Sequence, residues 1–298
     1  ILQKNWKKIF LEFITEKTPY FHVIKTHGTR ETYEGITAVE EIAFSISKAI
    51  TYINNCIARG LKIDDFSDKI SFNFHTKSDF FEEIAKYRAA RKIWSEIILD
   101  HFHAKEEKSK SIHFNSICEP ISSVFTQLEN NVIRIAYQVM ASSLGGARTI
   151  SCRSFDQNFS EFNEKSMILA LRTQQILSEE TDILISEDLF SGSYLLENLT
   201  NLIYEKTKEL LQKIEVSGGT TLCIEKGIMR KWSLESHAKF KNKIESGEQI
   251  ILGLNKYPEE LEEKRPDLTP SNQKEIEKNQ INKLAKIKIE RDSFAVTE

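Results

Sequence analysis

Apolar and polar residues alternate over short runs at residues 69–74, 110–115 and 149–153, and a fourth short run covers 21–26. Each run is about five or six residues, the usual length of a strand. Between the runs the apolar spacing lengthens to three and four residues. Ile42, Ala43, Ile46, Ile50, Ile53 and Ile57 form one helical stripe, and Phe80, Ile84, Tyr87, Trp94 and Ile98 a second. Ile133, Ala136, Val139 and Met140 form a third. Short strand followed by longer helix, repeated, is the order of parallel βα units. The chain is therefore read as α/β, with half of a (β/α)8 TIM-type barrel over residues 1–158.

The punctuation agrees with the periodicity. Thr37 and Glu40 have the spacing of a capping box, in which each side chain satisfies a backbone N–H of the other, and Gly60 is placed to end that helix. Gly145 and Gly146 read as a helix cap ahead of a strand, not as a phosphate loop. Beyond residue 158 helices are predicted near 162–178, 194–216, 220–229 and 231–246. This gives a helical extension over 159–257, packed on the barrel, then a linker and terminal helix over 258–298. Half a barrel leaves two bare sheet edges. Because the chain opens on Ile1 already in a helical pattern, the other half is expected upstream.

The strands divide their residues by chemistry. Ile70, Phe72 and Phe74 share one face against Lys69, Ser71 and Asn73 on the other; Ile112 and Phe114 oppose Ser111, His113 and Asn115; Ile150 and Cys152 oppose Thr149, Ser151 and Arg153. If the apolar faces meet the helices, small polar side chains line the barrel axis. That is a hydrophilic tunnel for a long polar ligand, where an ordinary barrel has packed Val, Ile and Leu. Active sites of such barrels lie at the C-terminal strand ends, which selects residues 26–30, 74–78, 115–120 and 153–156 and brings in His27, His75 and His113.

Composition adds limits. The 298 residues are 40% hydrophobic, with 41 basic against 44 acidic side chains and a net charge of −3, so no general field favours nucleic acid or an anionic membrane. No run of about 18 apolar residues suggests a membrane span. Cys56, Cys118, Cys152 and Cys223 are widely spaced and read as free thiols, which fits the cytoplasm or, in a eukaryote, the mitochondrial matrix. His101 and His103 are too close in sequence to share a helix face around a metal.

Several blocks in order then carry a resemblance: GITAVEEIAF at 35–44, LKIDDF at 61–66, KIS at 69–71, FEEIAKYRAARKIW at 81–94, NNVIR at 130–134, LGG at 144–146, DLFSGSY at 188–194 and GEQIILGLNKY at 247–257. Together they resemble the methylmalonyl-CoA mutase family. The resemblance implies a barrel threaded by the pantetheine arm of coenzyme A. It also implies a radical carbon-skeleton rearrangement of an acyl-CoA dependent on adenosylcobalamin, bound mainly by a domain or partner subunit outside this chain, and a homo- or heterodimer.

Carried over residue by residue, the family's Arg-x-Ser contact to the thioester falls on Lys69 and Ser71, with Ile70 between them. Asn73 and His113 extend the expected acyl-CoA contacts. The family's catalytic histidine falls on Arg30, after Gly28 and Thr29, with His27 as a nearby substitute. Its Arg-Thr-His-x-Gln block falls on His113, Asn115 and Ile117, so Asn115 takes the catalytic position and Ile117 faces the cofactor. Its Asp-Glu-Ala becomes Asp156, Gln157 and Asn158, also expected to face the cofactor. These replacements leave three expectations open: an acyl-CoA mutase, a non-catalytic mutase-like subunit or fragment serving assembly with an active chain, or a degenerate fragment with no present function.

Overall fold

A computed structural model describes residue 22 and residues 24–28, 35–120, 127–157, 163–186, 188–259 and 273–291. Four strands, β1 (Ile24–His27), β2 (Ile70–Thr76), β3 (His113–Cys118) and β4 (Thr149–Cys152), lie side by side in chain order, every neighbouring pair parallel. Helices α1 (Ala38–Ile57), α2 (Phe80–Glu96) and α3 (Asn130–Leu144) make the crossovers, and α4 (Glu164–Glu179) follows β4. This is the expected α/β half-barrel. The predicted opening helix, Arg30, Asn158 and the charged linker at 260–272 lie outside the described residues.

The capping box at α1 forms as predicted: Glu40 N–H donates to Thr37 Oγ1 at 3.2 Å, and Thr37 N–H donates to Glu40 Oε2 at 2.8 Å. Ile42, Ile46 and Ile53 then turn to the sheet, in one core with Ile70, Phe72, Phe74, Phe114 and Trp94. Aromatic rings stitch that core, with Phe72 edge-on to Trp94 at 4.9 Å and Phe74 beside Phe114 at 5.6 Å between centroids. Gly145 caps α3, and a Cβ there would lie 2.4 Å from Tyr87 Cδ2, so glycine permits the close approach of α3 to α2.

The region after β4 folds as α5 (Tyr194–Val216), α6 (Gly219–Glu225), α7 (Ile228–Glu245) and an exposed terminal helix α8 (Gln273–Glu290). Leu196, Ile203 and Tyr204 of α5 enter the barrel core, while Ile214, Cys223 and Met229 pack on Ala43 and Phe44, on a second side of α1. Helix α1 is thus buried on two sides. The helix predicted at 220–229 is shorter than expected because Gly227 takes φ +69°, which breaks it from α7. No helix among the described residues is long and apolar enough to cross a membrane.

One strand is displaced from its prediction. β3 was placed at 110–115 by alternation, yet residues Glu107–Lys110 form a helical turn and pairing starts at His113. The cause is distant in sequence: Asp64 accepts Ser109 Oγ at 2.6 Å and the backbone N–H groups of Lys105 and Glu106. The strand instead runs on through Ser116 and Ile117, so Asn115 lies mid-strand and not at its tip.

Candidate functional site at the barrel axis and strand ends

Parallel register sets the axis-facing residues in layers. Lys25, Ser71 and His113 are neighbours in the first, His27, Asn73, Asn115 and Thr149 in the second, and His75, Ile117 and Ser151 in the third. In the second layer Asn73 Nδ2 lies 3.3 Å from the His27 ring nitrogens, and Asn115 Oδ1 accepts Thr149 Oγ1 at 3.0 Å and Ser151 Oγ at 3.1 Å. Asn73 Oδ1 is buried and has no hydrogen-bond partner among the described residues. A buried acceptor without a donor is costly in the folded protein, and a ligand N–H relieves that cost.

At the N-terminal end of the sheet the axis is basic. Arg148 Nη1 contacts the His113 ring, His22 lies tilted against the same ring at 5.0 Å between centroids, and Lys69 lies close by, hydrogen-bonded to Asp68 at 3.2 Å. Burial, then Arg148 and His22, pushes the His113 pKa down to about 4; burial, Arg148 and Lys69 lower that of His22. Burial first, and Arg148 after it, holds the two histidines neutral, while Asp68 opposes the shift, so the positive charge of this end rests on Arg148 and Lys69.

At the C-terminal end a buried ionic network holds the strand tips. Glu41 of α1 accepts the His75 backbone N–H at 2.7 Å, its Oε1 lies 3.5 Å from His75 Nδ1, and its Oε2 accepts Lys86 Nζ at 2.9 Å. Lys86 also donates to the His75 carbonyl at 2.6 Å and pairs with Glu83. Burial opposes the Glu41 charge, but Lys86 and His75 outweigh it and lower the pKa to about 2. For Lys86 burial is likewise outweighed, by Glu41 and Glu83, so its pKa rises; burial raises that of Glu83. Lys48 ties down β1 by donating to the carbonyls of His27 and Gly28, both at 2.7 Å. Gly28 is needed there, since a Cβ would lie 2.9 Å from Glu41 Cγ.

Behind β2 and β3, on the helix side, Thr76, Tyr87, Ser116 and Ser142 form a buried hydroxyl cluster: Thr76 Oγ1 lies 2.6 Å from Tyr87 Oη and 2.9 Å from Ser142 Oγ, and Ser116 Oγ lies 2.6 Å from Ser142 Oγ.

The sheet brings Ser71, Asn73, His113, Asn115, His27 and Ile117 onto one face, as the alternation requires. Two expectations need correction. Ile70 turns its side chain into the hydrophobic core against the helices, away from the axis. Asp156 is buried and accepts Ser166 Oγ at 2.6 Å, so it faces α4 and is not presented to a cofactor. Gln157 is exposed beyond β4. Sequence reasoning missed Glu41, Glu83 and Lys86. The one signal available was a pair of glutamates beside the apolar stripe of α1, which reads equally well as a solvated edge.

The family model described as methylmalonyl-CoA mutase matches residues 4–298. The chain belongs to the methylmalonyl-CoA mutase family. It is 31% identical over 278 residues to the 2-hydroxyisobutanoyl-CoA mutase large subunit of Aquincola tertiaricarbonis, covering 93% of this chain and 49% of that protein. It is 33% identical to the methylmalonyl-CoA mutase of Escherichia coli (94% and 39% covered) and 33% identical to the mitochondrial enzyme of Homo sapiens (94% and 37%). The chain thus spans less than half the length of these relatives.

The methylmalonyl-CoA mutase family is generally cobalamin-dependent. The described residues of this member do not themselves make a corrinoid site. Ile117 offers only hydrocarbon, Asp156 is held by Ser166, and no group of three His, Cys, Asp or Glu side chains is arranged to hold a metal among the described residues.

Proposed function

We propose that this chain forms the acyl-CoA-binding face of a mutase of the methylmalonyl-CoA mutase type. The observation that carries the reading is the axis-facing row of small polar residues, with a basic cluster at one end and ion-anchored strand tips at the other. In this reading the nucleotide phosphates of coenzyme A lie at Lys69, His113 and Arg148, where positive potential favours anions. The pantetheine amides run past Ser71 and Asn73, and an amide N–H reaches the unpartnered Asn73 Oδ1. The thioester lies towards His27, Asn115 and His75. His27 and His75 are the side chains placed to hold or move a proton there.

The relatives' names point to a branched acyl group, such as methylmalonyl or 2-hydroxyisobutanoyl, and to a large subunit that has a partner. With adenosylcobalamin and a cobalamin-binding domain or subunit supplied elsewhere, the reaction is an intramolecular rearrangement of that acyl-CoA. The test is calorimetric titration of the full-length protein with coenzyme A and with branched acyl-CoAs, followed by an isomerase assay with adenosylcobalamin and the partner present. Saturable binding that Arg148→Glu weakens supports the reading; no binding overturns it.

A second reading, a non-catalytic subunit serving assembly with an active chain, is favoured by Asn115 and Ile117. The Asn115 carbonyl oxygen already accepts two hydroxyls, and Ile117 has no polar group. Acyl-CoA binding without turnover, alongside a control mutase that turns over, selects this second reading.

A further inference from the structure

On the helix side of the sheet a cavity of about 470 Å³ lies between α1, α5 and the π turn Ile97–His101 that continues α2. Its floor is hydrocarbon, from Ile50, Ile93, Ile97, Leu211 and Ile214. The crossover helices α1 and α2 run one way, each returning from the C-terminal to the N-terminal end of the parallel sheet. Helix α5 runs with them, since Arg88 of α2 donates to Glu197 at 2.6 Å and Tyr204, one and a half to two turns on, donates to Glu96 at 2.5 Å. Three helix C-termini therefore converge on the cavity. Asn54 belongs to the last turn of α1, His101 closes the π turn, and Glu215 belongs to the last turn of α5.

Each such end carries roughly half a negative elementary charge. Neither α1 nor α2 has a Lys or Arg in its last turn to offset it, and Lys213 of α5 lies outside the cavity wall. The start of the short helix α6, at Gly219 and Thr220, opposes them with a single dipole. Two carboxylates add to the negative side. Glu96 Oε2 accepts Tyr204 Oη and lies 3.7 Å from Lys208 Nζ, while its Oε1 has no partner among the described residues. Glu215 is exposed at the wall and pairs with no cation among the described residues. The hydroxyls agree with the carboxylates. Thr51 and Thr220 both donate to the Ser47 carbonyl, at 3.0 and 2.9 Å, and Ser47 donates to the Phe44 carbonyl at 3.1 Å, so these oxygens can only accept. Lys208, the ammonium at the wall, is already taken up by Tyr204 Oη at 3.0 Å and by Glu96.

We propose that this cavity binds a short linear diamine. One ammonium meets Glu215, the other meets Glu96 Oε1, and the methylenes lie on Ile50, Ile97 and Leu211. Lys208, beside Glu96, and Glu215 are seven residues apart on α5, a rise of about 10 Å. Two ammonium–carboxylate contacts of about 2.8 Å each leave about 5 Å between nitrogens, roughly the span of a three- or four-carbon diamine. A metal ion leaves the hydrocarbon floor uncovered, and no three His, Cys, Asp or Glu side chains are arranged to hold one among the described residues. The inference goes beyond the mutase reading and uses none of Ser71, Asn73, His113 or Arg148.

The test is calorimetry on the full-length protein with 1,4-diaminobutane, 1-aminobutane, butane-1,4-diol and magnesium chloride. The diamine should bind saturably, the monoamine about tenfold more weakly for the lost ion contact, and the diol not at all. Glu215→Gln, at an exposed position, should bring the diamine down to the level of the monoamine. Gln212→Lys, also exposed and between the two carboxylates on α5, should abolish diamine binding by placing an ammonium in the cavity, with the melting temperature checked to confirm folding. Glu277→Gln, on the exposed helix α8, should change nothing. No saturable binding of the diamine, magnesium or the diol binding as tightly as the diamine, or an affinity unchanged by either cavity variant would each overturn the proposal. Coenzyme A titrated in parallel separates the two readings: its failure to bind where the diamine binds removes the mutase reading alone, and the reverse removes only this one.

Discussion

The Glu41 carboxylate on α1 accepts the backbone N–H of His75 on β2 at 2.7 Å, across 34 residues of chain. With Lys86 joined to the same carboxylate and to the His75 carbonyl, one buried ionic group fixes both polar backbone atoms of a strand tip. A helix thereby determines where a strand ends.

Breaking this network should be costly. Lys86→Met leaves Glu41 and Glu83 buried without their cation, and a loss of about 3–5 kcal/mol is expected from urea denaturation. The triple variant with Glu41→Gln and Glu83→Gln removes the stranded charges as well and should recover part of that loss. A single variant as stable as the parent would show that the network does not hold the strand end.

The network also sets an acid limit. The Glu41 pKa falls from 4.5 to about 2 on folding, so its contribution is present above about 4.5 and is lost as pH falls towards 2. Denaturant midpoints should decline across that window in the parent protein, and Glu41→Gln should flatten the decline.

His113 has the opposite linkage to an ordinary paired histidine. Its folded pKa of about 4 lies below the ordinary histidine value of 6.5, so the unfolded chain binds the proton first. Its contribution to stability is present above 6.5 and falls as pH drops from 6.5 towards 4. The His113 ring signals in an NMR titration should hold their neutral shifts down to about pH 5. Binding of coenzyme A should raise this pKa and take up protons near pH 5, seen as calorimetric heats that depend on buffer ionisation enthalpy. An ordinary titration near 6.5 would show that the cluster is not electropositive.

Asn73→Leu gives up the Nδ2 contact to His27 but also the cost of a buried, unpartnered oxygen, so stability should stay within about 1 kcal/mol of the parent while coenzyme A binds about tenfold more weakly. Equal affinities would remove Asn73 from the binding face.

Gly145→Ala places a methyl group 2.4 Å from Tyr87 Cδ2, and the overpacking should cost about 1–3 kcal/mol. Thermal denaturation reads this directly; an unchanged midpoint would mean that α2 and α3 separate freely.

Much of this was legible in the sequence for a simple reason. The polar row Ser71, Asn73, His113 follows from the period of two, which sheet geometry imposes whatever the tertiary context. The helix stripes and the Thr37 cap are equally local. What escaped depended on distant partners. The start of β3 is set by Asp64, more than 40 residues away from the groups it binds. Glu83 and Lys86 have the spacing of a surface ion pair, and only the approach of Glu41 on α1 and of the His75 carbonyl on β2 gives them interior partners. Asp156 reads as a loop acid until α4 supplies Ser166.

The hydroxyl cluster of Thr76, Tyr87, Ser116 and Ser142 has an electrical consequence. Ser142 donates to the Gln138 carbonyl at 2.8 Å, so its oxygen is left to accept from Thr76 or Ser116. The hydroxyls of Thr76, Tyr87 and Ser116 keep a choice of acceptor within the set. Ionised groups elsewhere in the fold present a frozen field. Directly behind β2 and β3 the backing is instead a row of hydroxyl dipoles, anchored at one end and able to reorient at the other.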